Sequence, residues 1–349
     1  MTPQTAHATM APNLSTLPTE TLSLILSQFC LHCSKEHDYD SPDGYLRSRT
    51  HEQQPDEPSW YSHDCRQTLH SMCLVSRRLT LIAQPILHHE FIPGYGCAWR
   101  SSHFSWAGRL ASFLRTIAAR PDLAALVKRI FIHPDLRRAV SEEEAQATLE
   151  EVVRAAAPKS SVRLSKYHSS FEDMRRQNHY PEALDLGGWK PVGMLLALVP
   201  NLERLSVQVN GLGGIPAAAL AALRGVSDSG VVLSNLRTFD ICPRSAGSWL
   251  FRLDQYADGI LKAVAAGEGS LSTLNLHMCG WIGLVKLQGL ETLRLTGSRL
   301  DEVCLARLLD SCRTPGLRSF SYEATEPLTL DRGCIDNDGE PPSPSLSTV

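Results

Sequence analysis

Apolar residues recur at helical spacing in the first half of the chain and at strand spacing in the second. Behind Leu17-Pro18-Thr19-Glu20, the residues Leu22, Ile25, Leu26 and Phe29 fall at i, i+3, i+4 and i+7, the stripe of an amphipathic helix. Proline suits the first helical turn and Glu20 the positive end of its dipole. Leu69, Met72 and Cys73 mark a second helix, and Ser76 is placed to cap a third that carries Leu79, Ile82 and Ala83. Pro85 predicts an end to that helix at Gln84. Trp106, Leu110, Phe113, Leu114 and Ile117 predict a further helix that ends before Pro121. Ser141 and Glu144 form a capping box ahead of Leu149, Val152 and Val153, with a stop at Pro158. Residues 159–190 are polar and mixed, which predicts a loop.

The second half repeats one short phrase. It reads LERLSV at 202–207, LRTFDI at 236–241, LSTLNL at 271–276, LETLRL at 290–295 and LRSFSY at 317–322, after a weaker copy, VKRIFI, at 127–132. The template is Leu-x-x-Leu-x-Leu, with aromatic or β-branched substitutes. Its fourth positions, 205, 239, 274, 293 and 320, are spaced by 34, 35, 19 and 27 residues. Helix-like spacers at 216–224, 254–266 and 301–312 intervene. Each strand of such a phrase buries leucines yet cannot make a core alone, so stacking into a solenoid is the expected outcome. The fold class expected is an α/β (α+β) solenoid, an irregular leucine-rich-repeat-like horseshoe over 92–330.

Between the first two helices, residues 34–64 break the pattern with eight Asp/Glu against three Lys/Arg and with Pro42, Pro55 and Pro58. That composition cannot bury a core and reads as a solvated acidic insertion. Residues 1–13 and the Pro/Ser-rich tail at 331–349 read as disordered. A net charge of −3 gives no global basic field, so no nucleic-acid partner is expected. The 10 cysteines are scattered singly, unlike a secreted disulfide framework, and predict reduced thiols. The start MTPQTAHATMAPNLST has neither a basic opening nor an apolar stretch, so no secretory signal is read there, and no apolar run is long enough to predict a membrane span. A cytoplasmic or nuclear address follows as the expectation.

Leu17-Pro18-x-Glu20-x-Leu22-x-x-Ile25-Leu26, followed by Leu74-Val75-Ser76-Arg77-Arg78-Leu79-x-x-Ile82-Ala83, resembles an F-box. That family's module has three helices and docks on the Skp-type adaptor of cullin-RING ubiquitin ligases. The later phrases RPDLAALVKRIFI, LLALVPNLERLSV and LARLLDSCRTPGLRSFSYEA are similar to the degenerate leucine-rich repeats of F-box proteins. The resemblance implies an N-terminal three-helix unit at 14–91, interrupted by the insertion, and a target-binding repeat region at 92–330. It implies an adaptor that binds ligase components and a protein target for ubiquitin-dependent degradation. Leu17, Pro18, Glu20, Ile25, Leu26, Val75, Arg78 and Leu79 are then the adaptor-facing candidates. A repeat scaffold without a ligase role is the alternative, in which the helices merely cap the repeat core.

Side chains alternate along a strand, so the positions between the repeat leucines are expected on the open side of the sheet. Ser206, Asp240, Asn275, Arg294 and Ser321 are the target-binding candidates on this reading, with Thr238, Thr273, Thr292 and Ser319 beside them. A search for catalytic patterns is empty. NGLGGIP at 210–216 lacks the Lys-Ser/Thr of a phosphate loop, and GVSDSG at 225–230 misses a nucleophile elbow by one residue. No enzymatic activity and no cofactor are expected. Cys30-Leu31-His32-Cys33 forms a C-x-x-C with His37, His63, Cys65 and His70 around the insertion. Zinc needs four such ligands, so an insertion pinned at its base by zinc, in a zinc-stabilised binding domain, is one alternative. Without a second C-x-x-C the pair reads instead as small apolar residues at a helix end, and no metal is assigned.

Overall fold

The computed structural model describes residues 14–34, 65–91, 106–132, 142–177, 189–209, 233–243, 251–252, 271–277, 279–281, 289–311 and 316–324. The acidic insertion apart from Ser34, the spacers expected at 216–224 and 254–266, and both expected disordered ends lie outside them.

The N-terminal unit is helical. Helix α1 spans Thr19–Ser27, α2 Leu31–Ser34, α3 Gln67–Val75 and α4 Arg77–Leu87. Ser76 caps α4 as the sequence suggests, its Oγ accepting from the Leu79 N–H at 3.2 Å. Pro85 does not end that helix at Gln84, contrary to expectation; α4 continues to Leu87. Pro85 lies in the last turn, where it deletes one backbone hydrogen bond, and the His88 N–H closes the end on the carbonyls of Gln84 and Pro85. Leu26, Cys30, Leu69, Ala83 and Ile86 form a small core, with Phe29, Met72, Cys73, Ile82 and Leu87 against it.

The rest is an α/β body. Its strands are β1 (Glu90–Phe91), β2 (Arg129–Ile132), β3 (Arg204–Val209), β4 (Thr238–Pro243), β5 (Phe251–Arg252), β6 (Thr273–His277), β7 (Cys279–Trp281), β8 (Thr292–Ser298) and β9 (Ser319–Ala324). Seven form one sheet in the order β1-β2-β3-β4-β6-β8-β9, and β5 pairs with β7 apart from it. Every pairing in the large sheet is parallel and runs in chain order. The repeated phrases stack in register: Ile130, Leu205, Phe239, Leu274, Leu293 and Phe320 form one row across six strands. All but Phe320, on the last strand of the sheet, are buried.

A second regularity marks each strand's start. Two successive N–H groups donate to one carbonyl of the strand before: Lys128 and Arg129 to His89, Glu203 and Arg204 to Lys128, Arg237 and Thr238 to Glu203. The pattern continues to β9, where Arg318 and Ser319 donate to Glu291. Asn201 adds a side-chain bond to the Ala125 carbonyl at 2.8 Å, and Asn235 repeats it to Pro200 at 3.2 Å. Buried backbone groups need partners, and this stacking supplies them from the segment next in the stack.

Helices α5 (Trp106–Ala119), α6 (Pro121–Ala124), α7 (Glu142–Ala155), α8 (Pro158–Gln177), α9 (Trp189–Leu198) and α10 (Glu302–Ser311) flank the sheet. Leu110, Leu114, Ile117, Leu149, Val152, Leu195 and Leu198 join the strand leucines in one core. The loop expected at 159–190 is corrected, because α8 and the start of α9 occupy most of it. Among the described side chains of α8 only Ser160, Leu164 and Tyr167 are buried, a stripe too sparse to stand out among charges. Tyr167 fits because Gly193 of α9 lies beneath it; a Cβ there would fall 1.9 Å from the Tyr167 hydroxyl. Among the described residues no helix is long and apolar enough to cross a membrane.

Candidate functional site

Two features of the N-terminal unit bear on function: a set of uncovered apolar side chains and a cluster of sulfur and imidazole groups. Nine large apolar side chains are exposed among the described residues. Six of them, Leu14, Leu24, Ile25, Leu74, Val75 and Leu81, belong to this unit. Leu74 and Val75 stand at the corner between α3 and α4, 75 % and 68 % exposed, and Leu81 on α4 reaches 78 %. Hydrogen bonds within the unit brace the corner. Thr80 Oγ1 bonds the Cys73 carbonyl at 2.5 Å, Ser76 caps α4, and the Arg78 guanidinium donates to the Leu17 carbonyl ahead of α1.

The adaptor-facing candidates divide on this geometry. Pro18, Glu20, Ile25, Val75 and Arg78 are exposed and Leu17 is half-buried. Leu26 and Leu79 are corrected: they are 3 % and 8 % exposed and face inward, so neither offers a surface. An amphipathic stripe marks the buried side of a helix, and Leu26 lies on it. Ile25 apart, the exposed apolar positions fall off the predicted stripes, at Leu24, Leu74 and Leu81, where helical periodicity gives no reason to single them out.

The open row expected across the sheet is also corrected. Ser206, Asp240 and Asn275 are buried, Arg294 is half-buried, and Ser321 is exposed. Asp240 binds the row together. Its carboxylate accepts from Arg204 Nε at 2.7 Å, from Ser206 Oγ at 2.6 Å and from Asn275 Nδ2 at 2.7 Å. Alternation places these side chains opposite the leucines, as expected, but polarity here reflects mutual hydrogen bonding rather than contact with water. Ser321, on the last strand, does stand in solvent, as do Ser319 beside it and Phe320 of the leucine row.

The second feature was not assembled from sequence. Cys30, His32 and Cys33 converge with His89, and their four ligand atoms all lie within 4.8 Å of one another. His89 Nδ1 is 3.2 Å from Cys33 Sγ and 3.7 Å from Cys30 Sγ, and His32 Nδ1 is 3.6 Å from Cys33 Sγ. The imidazole rings meet edge to face, 5.0 Å between centroids. Cys30 is buried and the other three are half-buried. A proton shared by the two sulfurs holds the Cys30 thiol far above the ordinary thiol range, with burial and the Glu90 charge adding to this. The Cys30 hydrogen bond draws Cys33 well below that range against its own burial, helped by His32 and His89.

Three elements deliver these groups. Cys30 lies between α1 and α2, and the Cys33 and Ser34 N–H groups bond its carbonyl and fold the short α2 back over it. His89 lies in the turn from α4 to β1, and its carbonyl takes the Lys128 and Arg129 N–H groups. Arg66 ties the turn to the start of α3 by donating to the Glu90 carbonyl at 2.9 Å. Of the other residues noted near the C-x-x-C, Cys65 is half-buried and His70 exposed, both outside the cluster, and His37 and His63 lie outside the described residues. His89 is 56 positions from Cys33, and only the packing of α1 on α4 joins them.

Compared with protein-family models, with curated proteins and with solved structures, the chain matches none.

Proposed function

We propose that the chain is a substrate-recognition adaptor of a cullin-RING ubiquitin ligase. Residues 14–91 bind the Skp-type adaptor, and the stacked sheet presents a surface to a protein target. The observation that carries the reading is the N-terminal unit itself. Its core of Leu26, Cys30, Leu69, Ala83 and Ile86 is separate from the sheet's core. It nevertheless leaves Leu24, Leu74, Val75 and Leu81 in solvent. A helical cap would spend its apolar surface on the sheet it covers. A docking module keeps some for a partner.

Support for the repeat half comes from strand order. A parallel sheet that grows strictly in chain order, with one leucine row in register, is what stacked leucine-rich units build. On this reading the chain has no chemistry of its own, and ubiquitin transfer belongs to the ligase components in the cytoplasm or nucleus. The test mixes the purified full chain with a Skp-type adaptor and a cullin and follows complex formation by size-exclusion chromatography. A complex of the three is the expected result. A folded chain that elutes alone would leave the scaffold role instead.

A further inference from the structure

We propose that Cys30, His32, Cys33 and His89 bind one zinc ion, in a closed structural site that fastens the helical unit to the first strand of the sheet. A tetrahedral zinc with bonds of about 2.3 Å to sulfur and about 2.0–2.1 Å to nitrogen sets its ligands roughly 3.3–3.8 Å apart. The separations here of 3.2, 3.6 and 3.7 Å sit at those edges. No atom separation in the set exceeds 4.8 Å, so a small ring rotation completes the tetrahedron. Two sulfurs and two imidazoles select zinc over hard divalent cations, which prefer oxygen. Two thiolates also neutralise the ion's charge, which suits a site whose Cys30 sulfur is buried.

The surroundings point the same way. Histidines that bind metals usually give their second ring nitrogen to a carboxylate. His32 turns Nδ1 toward Cys33 Sγ and Nε2 toward Glu203 Oε2, at 3.8 Å. Glu203 is itself held by Lys128 Nζ at 2.7 Å. The His89 backbone is fixed by the two N–H groups of Lys128 and Arg129, so its ring needs little ordering on binding. With four protein ligands there is no open position for water or substrate, which makes the site structural rather than catalytic. It joins the end of α1, all of α2, the α4–β1 turn and, through Glu203, the start of β3.

The test measures metal in the full chain, expressed with added zinc and purified under reducing conditions. About one zinc per chain is expected by mass spectrometry of the metal. Replacement by cobalt should give the visible bands of a tetrahedral site with a sulfur-to-cobalt charge-transfer band. Cys33→Ser and His89→Gln should each lose the ion to a chromophoric chelator that the unaltered chain resists. His88→Gln is the control and should keep it, since the His88 ring faces the Gln84 carbonyl at 2.9 Å. Where a ligand variant fails to fold, Glu203→Gln decides: it should stay folded and bind roughly 10- to 100-fold more weakly. The proposal is overturned if the folded chain carries no zinc and its melting temperature ignores added zinc. It is also overturned if Cys30 and Cys33 are isolated as a disulfide, or if zinc stays bound in folded Cys33→Ser and His89→Gln chains.

Discussion

Replacing Asp240 by alanine should destabilise the sheet body more than any exposed change in the chain. The carboxylate is 1 % exposed and its ion-pair partner Arg204 17 %. It accepts from Arg204 Nε at 2.7 Å and Nη2 at 3.3 Å, from Ser206 at 2.6 Å and from Asn275 at 2.7 Å. Alanine removes all four acceptor contacts and takes the buried carboxylate from beside the Arg204 guanidinium. Breaking one side of a buried pair costs about 3–5 kcal/mol, and this is the loss expected. Removing both charges with well-packed apolar residues is often neutral, so Arg204→Met with Asp240→Leu should recover most of it. The remaining deficit, on the order of 1–2 kcal/mol, belongs to Ser206 and Asn275, which still lack their acceptor. Urea unfolding of the parent, Arg204→Met, Asp240→Leu and the double variant, followed by circular dichroism, closes a double-mutant cycle and gives the coupling energy directly, with Asp240→Ala unfolded beside them. A loss under about 1 kcal/mol for Asp240→Ala, or a coupling near zero, would show that the row is hydrated and that its polarity serves contact with something outside the chain.

The remaining predictions concern the helical unit and α8. Leu74→Asp with Leu81→Asp should leave the melting temperature almost unchanged. If a partner covers those side chains, it should weaken Skp-type adaptor binding by roughly 30- to 1000-fold, from about 1–2 kcal/mol for each; calorimetric titration reads this, and an affinity within threefold of the parent counts against the interface. Leu26→Ala should do the reverse, costing about 2–5 kcal/mol of the unit's stability through the cavity it leaves, as seen in the melt of the chain. For His168, burial first and then the Lys190 charge pull its pKa below the ordinary histidine value. The unfolded chain therefore binds its proton at higher pH than the folded chain does. Stability at this site is present above about pH 6.5 and is lost as pH falls through the folded value. His168→Gln should flatten that part of the stability–pH curve, and an unchanged slope would place the titration elsewhere.

The sequence was a good guide where one side of an element is buried and regular. Leu-x-x-Leu-x-Leu located six strands because all but the last bury their first and fourth positions, and the in-register row from Ile130 to Phe320 follows from that. Ser76 was legible because a helix cap is a local event. Three things were not. α8 buries too few side chains to show a period against Lys159, Arg163 and Lys166. β1 has two residues, Glu90 and Phe91, too few for any alternation. The sulfur–imidazole cluster depends on the fold, since Cys33 and His89 have 55 residues between them and meet only once α1 has packed on α4. The trace that was available is the pair His88-His89 at the end of an apolar helix, next to a C-x-x-C whose own helix must pack on that one.

On the proposed reading, capping the sheet and docking on a partner are not opposed, because different parts of the helical unit would do each. The capping is done by its last residues. Glu90 and Phe91 pair with Arg129 and Ile130 and add a short parallel edge, and short edges resist further pairing with foreign strands. Phe91 enters the sheet's core and stacks on Phe113 of α5 at 4.7 Å between centroids. Leu26, Leu69 and Ala83 do not enter it. The α3–α4 corner is held by bonds within the unit, from Ser76, Thr80 and Arg78, and makes no claim on the sheet. A free helical hairpin tethered by a two-residue strand would swing, and a ligase adaptor that swings positions its target poorly. A zinc ion on Cys30, His32, Cys33 and His89 answers that mechanical need. It ties the end of α1 to the residue that begins the sheet, and through His32 and Glu203 to the strand two places in. The metal's role on this reading is to set the angle between adaptor and target. Chelation should therefore reduce target modification more than it reduces binding of the adaptor or the target alone. Equal loss of all three would mean that the ion holds the unit folded rather than oriented.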